Sequence, residues 1–432
     1  MSSESNGRRW AAAPTGGLPR LAVVFEPTAV QFFDVVDAAT DTWETVWLID
    51  RSIEGLGNLP RLLARSGEVI DTTGLDPSEV KEALRERPVQ GLIAFGDIVL
   101  VRAAHIAEEL GLPFYSPATA TRLTNKFEQR QAFRAAGIPT PRSVLLPAGV
   151  SAATCRAIVA DVTFPVIVKP TVGNGSRGVY SVDDVASLVA LVEAGTLARA
   201  DQDVVVEEQI TDSWRVDERP YADYVSVESF LSHGRASHFT LTGRMPRAEP
   251  FRETGAFQPS NVSPEEWQMA IEAAEEALAA LGAEIGVFHT EVKFAPEGCR
   301  IVEVNGRLGG GRIGQIASLV TGRSLFREAG RVALGEEVDV SGSQFSAIGF
   351  YYGHQPPVGA RTIVGLDGLD AVRQFPGVLE VVVNRRPGDP LWGWEEGSRG
   401  YIYSVYGKVD TYDELWAMLD RVRDTVRISY ET

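Results

Sequence analysis

Cysteine is nearly absent: Cys155 and Cys299 are the two in 432 residues. They form neither a metal motif nor a disulfide framework, and a reducing cytoplasm is the simplest setting. Long basic runs are missing too, and the formal net charge is −17. That balance argues against nucleic acid and anionic membrane as main partners. No apolar run reaches the length needed to cross a bilayer. Residues 1–19 lack the apolar stretch of a secretory signal and read as a short disordered leader. The first predicted strand is not followed by G-x-G-x-x-G, so a dinucleotide-binding first domain is not supported.

What is present is a large apolar fraction, 44%, with glycine (42) and proline (24) spread along the chain. This suits a loop-rich enzyme of two to four domains or subdomains. Residues 20–118 alternate predicted strands (20–25, 45–49, 90–95) with helices (28–39, 77–87, 98–110), which implies a mostly parallel α/β sheet. Residues 119–142 read as one helix stopped by Gly137, with Lys126 near its start; a plain surface lysine is the alternative there. Residues 340–432 read as an α+β unit. Its strands are expected at 346–352, 378–384 and 401–406, and its last helix at 412–426, set off from the preceding strand by Gly407.

Residues 164–183 hold a strand ending in Lys169, the loop Gly173-Asn174-Gly175-Ser176-Arg177-Gly178, and a second strand. The loop matches G-x-G-x-x-G but leads into a strand, so the dinucleotide context fails. Three glycines let backbone N–H groups approach phosphate, and the hairpin suits a flap closing over a nucleoside triphosphate; a plain turn is the alternative. A strand over 203–210 ends in Glu207 and Glu208. Another covers 223–231, with Ser226 and Glu228 on one face, and 236–243 continues a sheet. A polar loop spans 211–221, and residues 247–260 show no periodicity and read as a functional loop. Ser263, Pro264 and Glu266 start a capped helix over 263–281.

Residues 288–311 are the most informative stretch. Two strands joined at Pro296-Glu297-Gly298 place His289, Glu291 and Lys293 on one face of the first. On the second, Ile301, Glu303, Asn305 and Arg307 are expected to share a face. A three- or five-residue loop centred on Glu297 sets Glu291 opposite Glu303. Facing carboxylates repel, and a divalent cation removes that penalty. Two carboxylates and the Asn305 amide oxygen are hard ligands of the kind Mg²⁺ takes. Arg307 is placed to hold an anion. A solvated hairpin face with alternating charge is the alternative. Gly309–Gly314 also matches G-x-G-x-x-G, but the strand before it is acidic and no simple βαβ unit closes, so a nicotinamide site is rejected.

In this order, Lys126, Lys169 with its flap, Glu207 to Ile210, and the Glu291…Glu303-x-Asn305-x-Arg307 hairpin resemble the ATP-grasp superfamily. Within it the chain looks most like the L-amino acid ligases, carboxylate–amine ligases of the dipeptide-forming type. The resemblance implies an ATP-grasp fold in three parts. These are a parallel α/β domain like the biotin-carboxylase N-terminal domain (20–118), a central ATP-grasp domain (119–338, lid about 144–208), and a C-terminal α+β subdomain (339–432). It implies ATP contacts from Lys126, Lys169, Gly173, Gly175, Ser176, Gly178, Glu207, Glu208 and Ile210. Glu291, Glu303 and Asn305 would bind two Mg²⁺ ions, with Mn²⁺ as a substitute. Arg307 and Lys169 would be catalytic. Glu253, His289, Arg307, Gly310 and Gly311 would face the substrates, an amino acid or other carboxylate and an amine. Ala256 and Phe257 stand where related ligases carry a histidine, and Gly309–Gly311 where some carry a bulky residue. A roomy acyl-donor pocket is the expectation. Ligases of this type are often homodimers, though no interface signal is visible in the sequence. A bicarbonate-using carboxylase or carbamoyl-phosphate-type enzyme of the same superfamily is the alternative.

Overall fold

The computed structural model describes residues 17–27, 30–197, 202–211, 213 and 221–432. The leader at 1–19 and the polar loop at 211–221 lie largely outside these residues, as does the start of the helix expected at 28–39.

Four short parallel strands form the N-terminal sheet, in the order Glu68–Asp71, Glu44–Ile49, Arg20–Val24, Gly91–Ala94. Leu21, Ala22, Leu48 and Leu92 are fully or nearly fully buried there. Near-continuous apolar strands are what a parallel sheet covered on both faces requires. The helix after its last strand, Asp97–Leu110, begins with an acid and stops at Gly111 in the left-handed conformation.

A second sheet has eight strands. Its order is Gly298–Asn305, Gly286–Ala295, Val225–Ser232, Arg235–Arg244, Gly255–Gln258, Ile348–His354, Tyr403–Val409, Val378–Val383. The C-terminal strands thus extend the sheet that carries the acidic hairpin. The helix Pro264–Leu281 packs against it; both halves of its Ser263–Glu266 capping box form. A third, four-stranded sheet pairs Ser143–Leu146, Val204–Glu208, Val166–Pro170 and Tyr180–Val182, all antiparallel, and carries the glycine loop at its edge. Among the described residues no helix is long and apolar enough to cross a membrane.

Several local expectations change. The single helix over 119–142 is two, Pro117–Thr124 and Lys126–Ala135, because Asn125 is extended between them. Its side chain caps the second by accepting from the N–H groups of Phe127 (3.0 Å) and Glu128 (3.2 Å). The aperiodic stretch 247–260 contains the strand Gly255–Gln258, an interior member of the large sheet. Gly407 does not separate strand from helix but lies within Tyr403–Val409. A Cβ there would come 2.1 Å from the Gly377 carbonyl, so glycine permits that close approach.

The hairpin departs in a more consequential way. Ala295 pairs with Gly298, so the loop is the two residues Pro296 and Glu297. A regular ladder from that loop would set Glu291 opposite Val302. A bulge between Ile301 and Glu303 shifts the register, and Glu291 pairs with Glu303 as expected. The same bulge breaks the alternation. Ile301 joins the apolar core with Val292 and Phe294, whereas Val302 and Glu303 both face the cleft. Ile301 therefore does not share a face with Glu303, Asn305 and Arg307.

Candidate functional site

A cleft of about 490 Å³ lies between the flap sheet and the large sheet. Lys126, Lys169, Gly173, Gly175, Ser176, Glu207, Glu208 and Ile210 line one part of it. Glu253, His289, Glu291, Glu303, Asn305, Arg307, Gly310 and Gly311 line the rest. Of the candidate ATP-, metal- and substrate-contacting residues, Gly178 alone is not in its wall; its N–H donates to the Glu395 carbonyl at 3.0 Å.

The two cleft lysines are held by acids. Lys126 opens its helix and donates to Glu303 Oε1 and to the Gly173 carbonyl, both at 2.7 Å. Lys169, next to last in its strand, is buried 2.5 Å from Glu207 Oε1. Glu207 also accepts from Arg130 Nε at 2.9 Å and Nη2 at 3.3 Å. Burial alone would raise the Glu207 carboxyl, but Arg130 and Lys169 override it and hold it down to about 2. Burial moves Lys169 the other way, below the usual lysine range, against the attraction of Glu207. In the flap, Gly175 (φ 64°) and the non-glycine Ser176 (φ 57°) are both left-handed, which turns the loop sharply over the cleft.

The acidic hairpin forms the opposite wall. Glu291 is desolvated, yet His289 and Arg244 hold it below the ordinary carboxylate range. His289 donates Nδ1–H to Glu228, whose oxygens lie 3.0 and 2.9 Å away. Burial disfavours a charged ring there, but Glu228 outweighs it and lifts His289 to about 9. Arg244 Nη2, 2.9 Å from His289 Nε2, opposes that charge. Glu228 is itself buried, accepting from Ser226 and Thr242 hydroxyls at 2.9 Å each.

Arg307 is tied to Asp97, the first residue of the helix after the N-terminal sheet. Its Nε lies 2.9 Å from both carboxylate oxygens and its Nη2 2.7 Å from one. Burial would raise Asp97, but Arg307, Lys126 and Asn174 keep it below the ordinary carboxylate range. Among the described residues no cluster of three His, Cys, Asp or Glu side chains could hold a metal ion by itself. Glu291, Glu303 and the Asn305 oxygen nevertheless offer hard oxygen donors on one wall. They fit a Mg²⁺ that takes its other ligands from water and phosphate.

Sequence reasoning missed Asp97, Arg130 and Arg244. Asp97 reads as an ordinary acid in a first helical turn, and Arg130 as one of several polar residues on an amphipathic helix. Arg244 ends its strand after the run Phe239–Gly243 of small and apolar residues, and an arginine closing that run is the one signal available. It is 5% exposed and joins Glu253 (3.1 Å), Glu291 (3.5 Å) and Ser226 (3.3 Å). Tyr224, Tyr351 and Tyr401 complete this end of the cleft, with Tyr224 donating to Glu253 at 2.7 Å. The glycine turn divides: a Cβ on Gly309 would strike His289 Nδ1 at 2.6 Å, whereas Gly310 and Gly311 have nothing within 4 Å. Only the latter two open space in the cleft.

The ATP-grasp domain family matches residues 162–315. An uncharacterized protein, y4rH, of Sinorhizobium fredii (strain NBRC 101917 / NGR234) is 26% identical over 336 residues, covering 74% of this chain and 65% of that protein. The alanine–anticapsin ligase of Bacillus subtilis is 24% identical over 219 residues, 48% of this chain and 45% of the ligase. This chain thus spans less than two thirds of the length of either relative. The crystal structure of an L-amino acid ligase from Bacillus licheniformis superposes with a TM-score of 0.74 at 21% identity, covering 96% of this chain and 99% of that one. With the lysines, flap and acidic hairpin meeting in one cleft, residues 162–315 match the ATP-grasp domain family, and the chain has the ATP-grasp fold.

Proposed function

We propose that this chain is an ATP-dependent carboxylate–amine ligase that joins an amino acid, or a related carboxylate, to an amino acid or amine and releases ADP and phosphate. The observation that carries this reading is the convergence of Lys126, Lys169, Glu291, Glu303, Asn305, Arg307 and the glycine flap on one cleft. The likeness to an alanine–anticapsin ligase and an L-amino acid ligase supports it. Residues 20–118, 119–338 and 339–432 are its three parts, and a cytoplasmic homodimer is its setting.

The first carboxylate attacks the γ-phosphorus of ATP, giving ADP and an acyl phosphate. The amine then adds to the carbonyl carbon, and the C–O bond to phosphate breaks. Lys126 and Lys169 supply fixed positive charge for the phosphates, and Arg307 for the transferred group. Main-chain groups from Glu207 to Ile210 face the adenine. Glu291, Glu303 and Asn305 would hold Mg²⁺, two ions in the full site, which screens the repulsion between carboxylate and triphosphate. Lys126, which lies on Glu303 through one hydrogen bond, can turn from the carboxylate to a phosphate oxygen. Glu253, with Arg244 and Tyr224 on it, faces the amino group of the acyl donor. The flap keeps water from the acyl phosphate.

The test is a phosphate-release screen of amino-acid, carboxylate and amine pairs, with mass detection of products. Amide formation with stoichiometric ADP supports the reading. Release that needs bicarbonate and no amino acid would place the chain with the carboxylases. Glu303→Gln should abolish turnover while leaving nucleotide binding partly intact; unchanged activity would remove the metal assignment.

A further inference from the structure

The glycine flap is not free at its tip. Four contacts join it to the segment Trp394–Gly400 of the C-terminal part. The Gly178 N–H donates to the Glu395 carbonyl at 3.0 Å. Arg177 Nη2 meets Glu396 Oε2 at 2.9 Å. The Tyr180 ring stands edge-on to Trp394, with centroids 5.1 Å apart. Gly397 lies so close to the flap backbone that a Cβ there would be 2.0 Å from the Gly175 carbonyl oxygen and 2.9 Å from the Arg177 nitrogen. Gly397 also has φ 63° and ψ −139°, a region open to glycine and costly for other residues. Both its conformation and its lack of a side chain are therefore used in seating the flap.

Four residues on, the same segment enters the cleft. Tyr401 lines the cleft beside Glu253 and stands edge-on to Tyr351 at 5.8 Å. A short, kinked piece of chain thus touches the phosphate flap at one end and the amino-acid end of the cleft at the other.

We propose that Trp394–Tyr401 is a strap that holds the glycine flap closed over the phosphate site and couples that closure to the amino-acid end of the cleft, an inference that rests on the ligase reading above. Gly397, Glu396 and Trp394 act as positioning residues and touch no reacting atom. Their work falls between the two half-reactions. With the flap open, water can add to the acyl carbonyl carbon and the C–O bond to phosphate breaks. Free carboxylate and inorganic phosphate then leave without an amide bond. A seated strap suppresses that loss.

The experiment has two arms on the full chain. In the first, trypsin cleavage after Arg177 reads how often the flap leaves the strap and needs no substrate. Gly397→Ala is expected to speed that cleavage about tenfold, and Glu396→Gln less. In the second, phosphate released per amide bond formed is expected to rise above the wild-type ratio in both variants, with the larger rise in Gly397→Ala. Cleavage after Arg177 at the wild-type rate in both variants would overturn the strap. Glu396→Gln, which alters one surface ion pair, decides the question should Gly397→Ala fail to fold. If no substrate pair yields an amide, the ligase reading falls, and the cleavage arm still judges the contact between strap and flap.

Discussion

Arg307 and Asp97 form a buried, forked ion pair between the end of the acidic hairpin and the first turn of the helix Asp97–Leu110. The arginine expected to hold the transferred phosphoryl group is therefore aimed from the N-terminal domain. Asn174 of the flap reaches the same carboxylate at 3.4 Å, so three parts of the chain meet on Asp97.

Asp97→Asn tests that arrangement. It leaves a guanidinium buried without its counter-charge, which costs about 3–5 kcal/mol. A misaimed Arg307 should also lower turnover by about 10²-fold. Urea unfolding and product formation measure the two. Stability and turnover both at wild-type values would show that Asp97 neither supports nor aims the arginine.

Glu207 predicts the acid limb of stability. Its folded carboxyl is held down to about 2, below the ordinary glutamate value of 4.5. The folded state thus binds this proton less readily than the unfolded chain. The contribution is present in full above about pH 4.5, and is lost as the pH falls towards 2. Its size is on the order of 3 kcal/mol. Unfolding free energies measured between about pH 6 and pH 3 should fall less steeply in Glu207→Gln than in the wild type. Parallel profiles would count against the Arg130–Glu207–Lys169 cluster as the cause.

Gly310 predicts substrate size. It lines the cleft, and a Cβ there would meet no atom within 4 Å, whereas one on Gly309 would strike His289. Gly310→Leu should lower kcat/KM for large acyl donors by about tenfold or more, with alanine little affected. Competition between alanine and a bulky amino acid, read by mass spectrometry, checks this; an unchanged ratio would move the acyl-donor pocket elsewhere.

Arg244 predicts a cost in folding as well as in activity. Replacing it with Met leaves Glu253 and Glu291 without their shared cation, at about 3–5 kcal/mol. Arg244→Lys restores the charge but not the planar fork, so its stability should fall between the two. Denaturant midpoints order the three proteins. Equal midpoints for Met and Lys would mean that charge is not what Arg244 contributes.

The parts whose signals are local were legible in the sequence. Apolar strands alternating with helices imply the parallel N-terminal sheet, and the Ser263–Glu266 box marks a helix start. Lys169 before a glycine-rich turn, and two acids on facing strands, identify the cleft walls because strand alternation needs no knowledge of the rest of the chain. Tertiary structure decided the rest. Glu291 faces Glu303 through a two-residue loop and a bulge, and the bulge sends Ile301 to the core, because burying Ile301 with Val292 and Phe294 outweighs regular alternation. Arg130 and Asp97 carry no local mark of function, and Arg244 only its place after a run of small and apolar residues. Arg130 and Asp97 gain their partners, Glu207 and Arg307, from 77 and 210 residues away, and Arg244 joins Glu253, 9 residues on, to Glu291, 47 residues away. Buried charge must be matched wherever the packing places it, and only the folded chain determines which opposite charge is near enough.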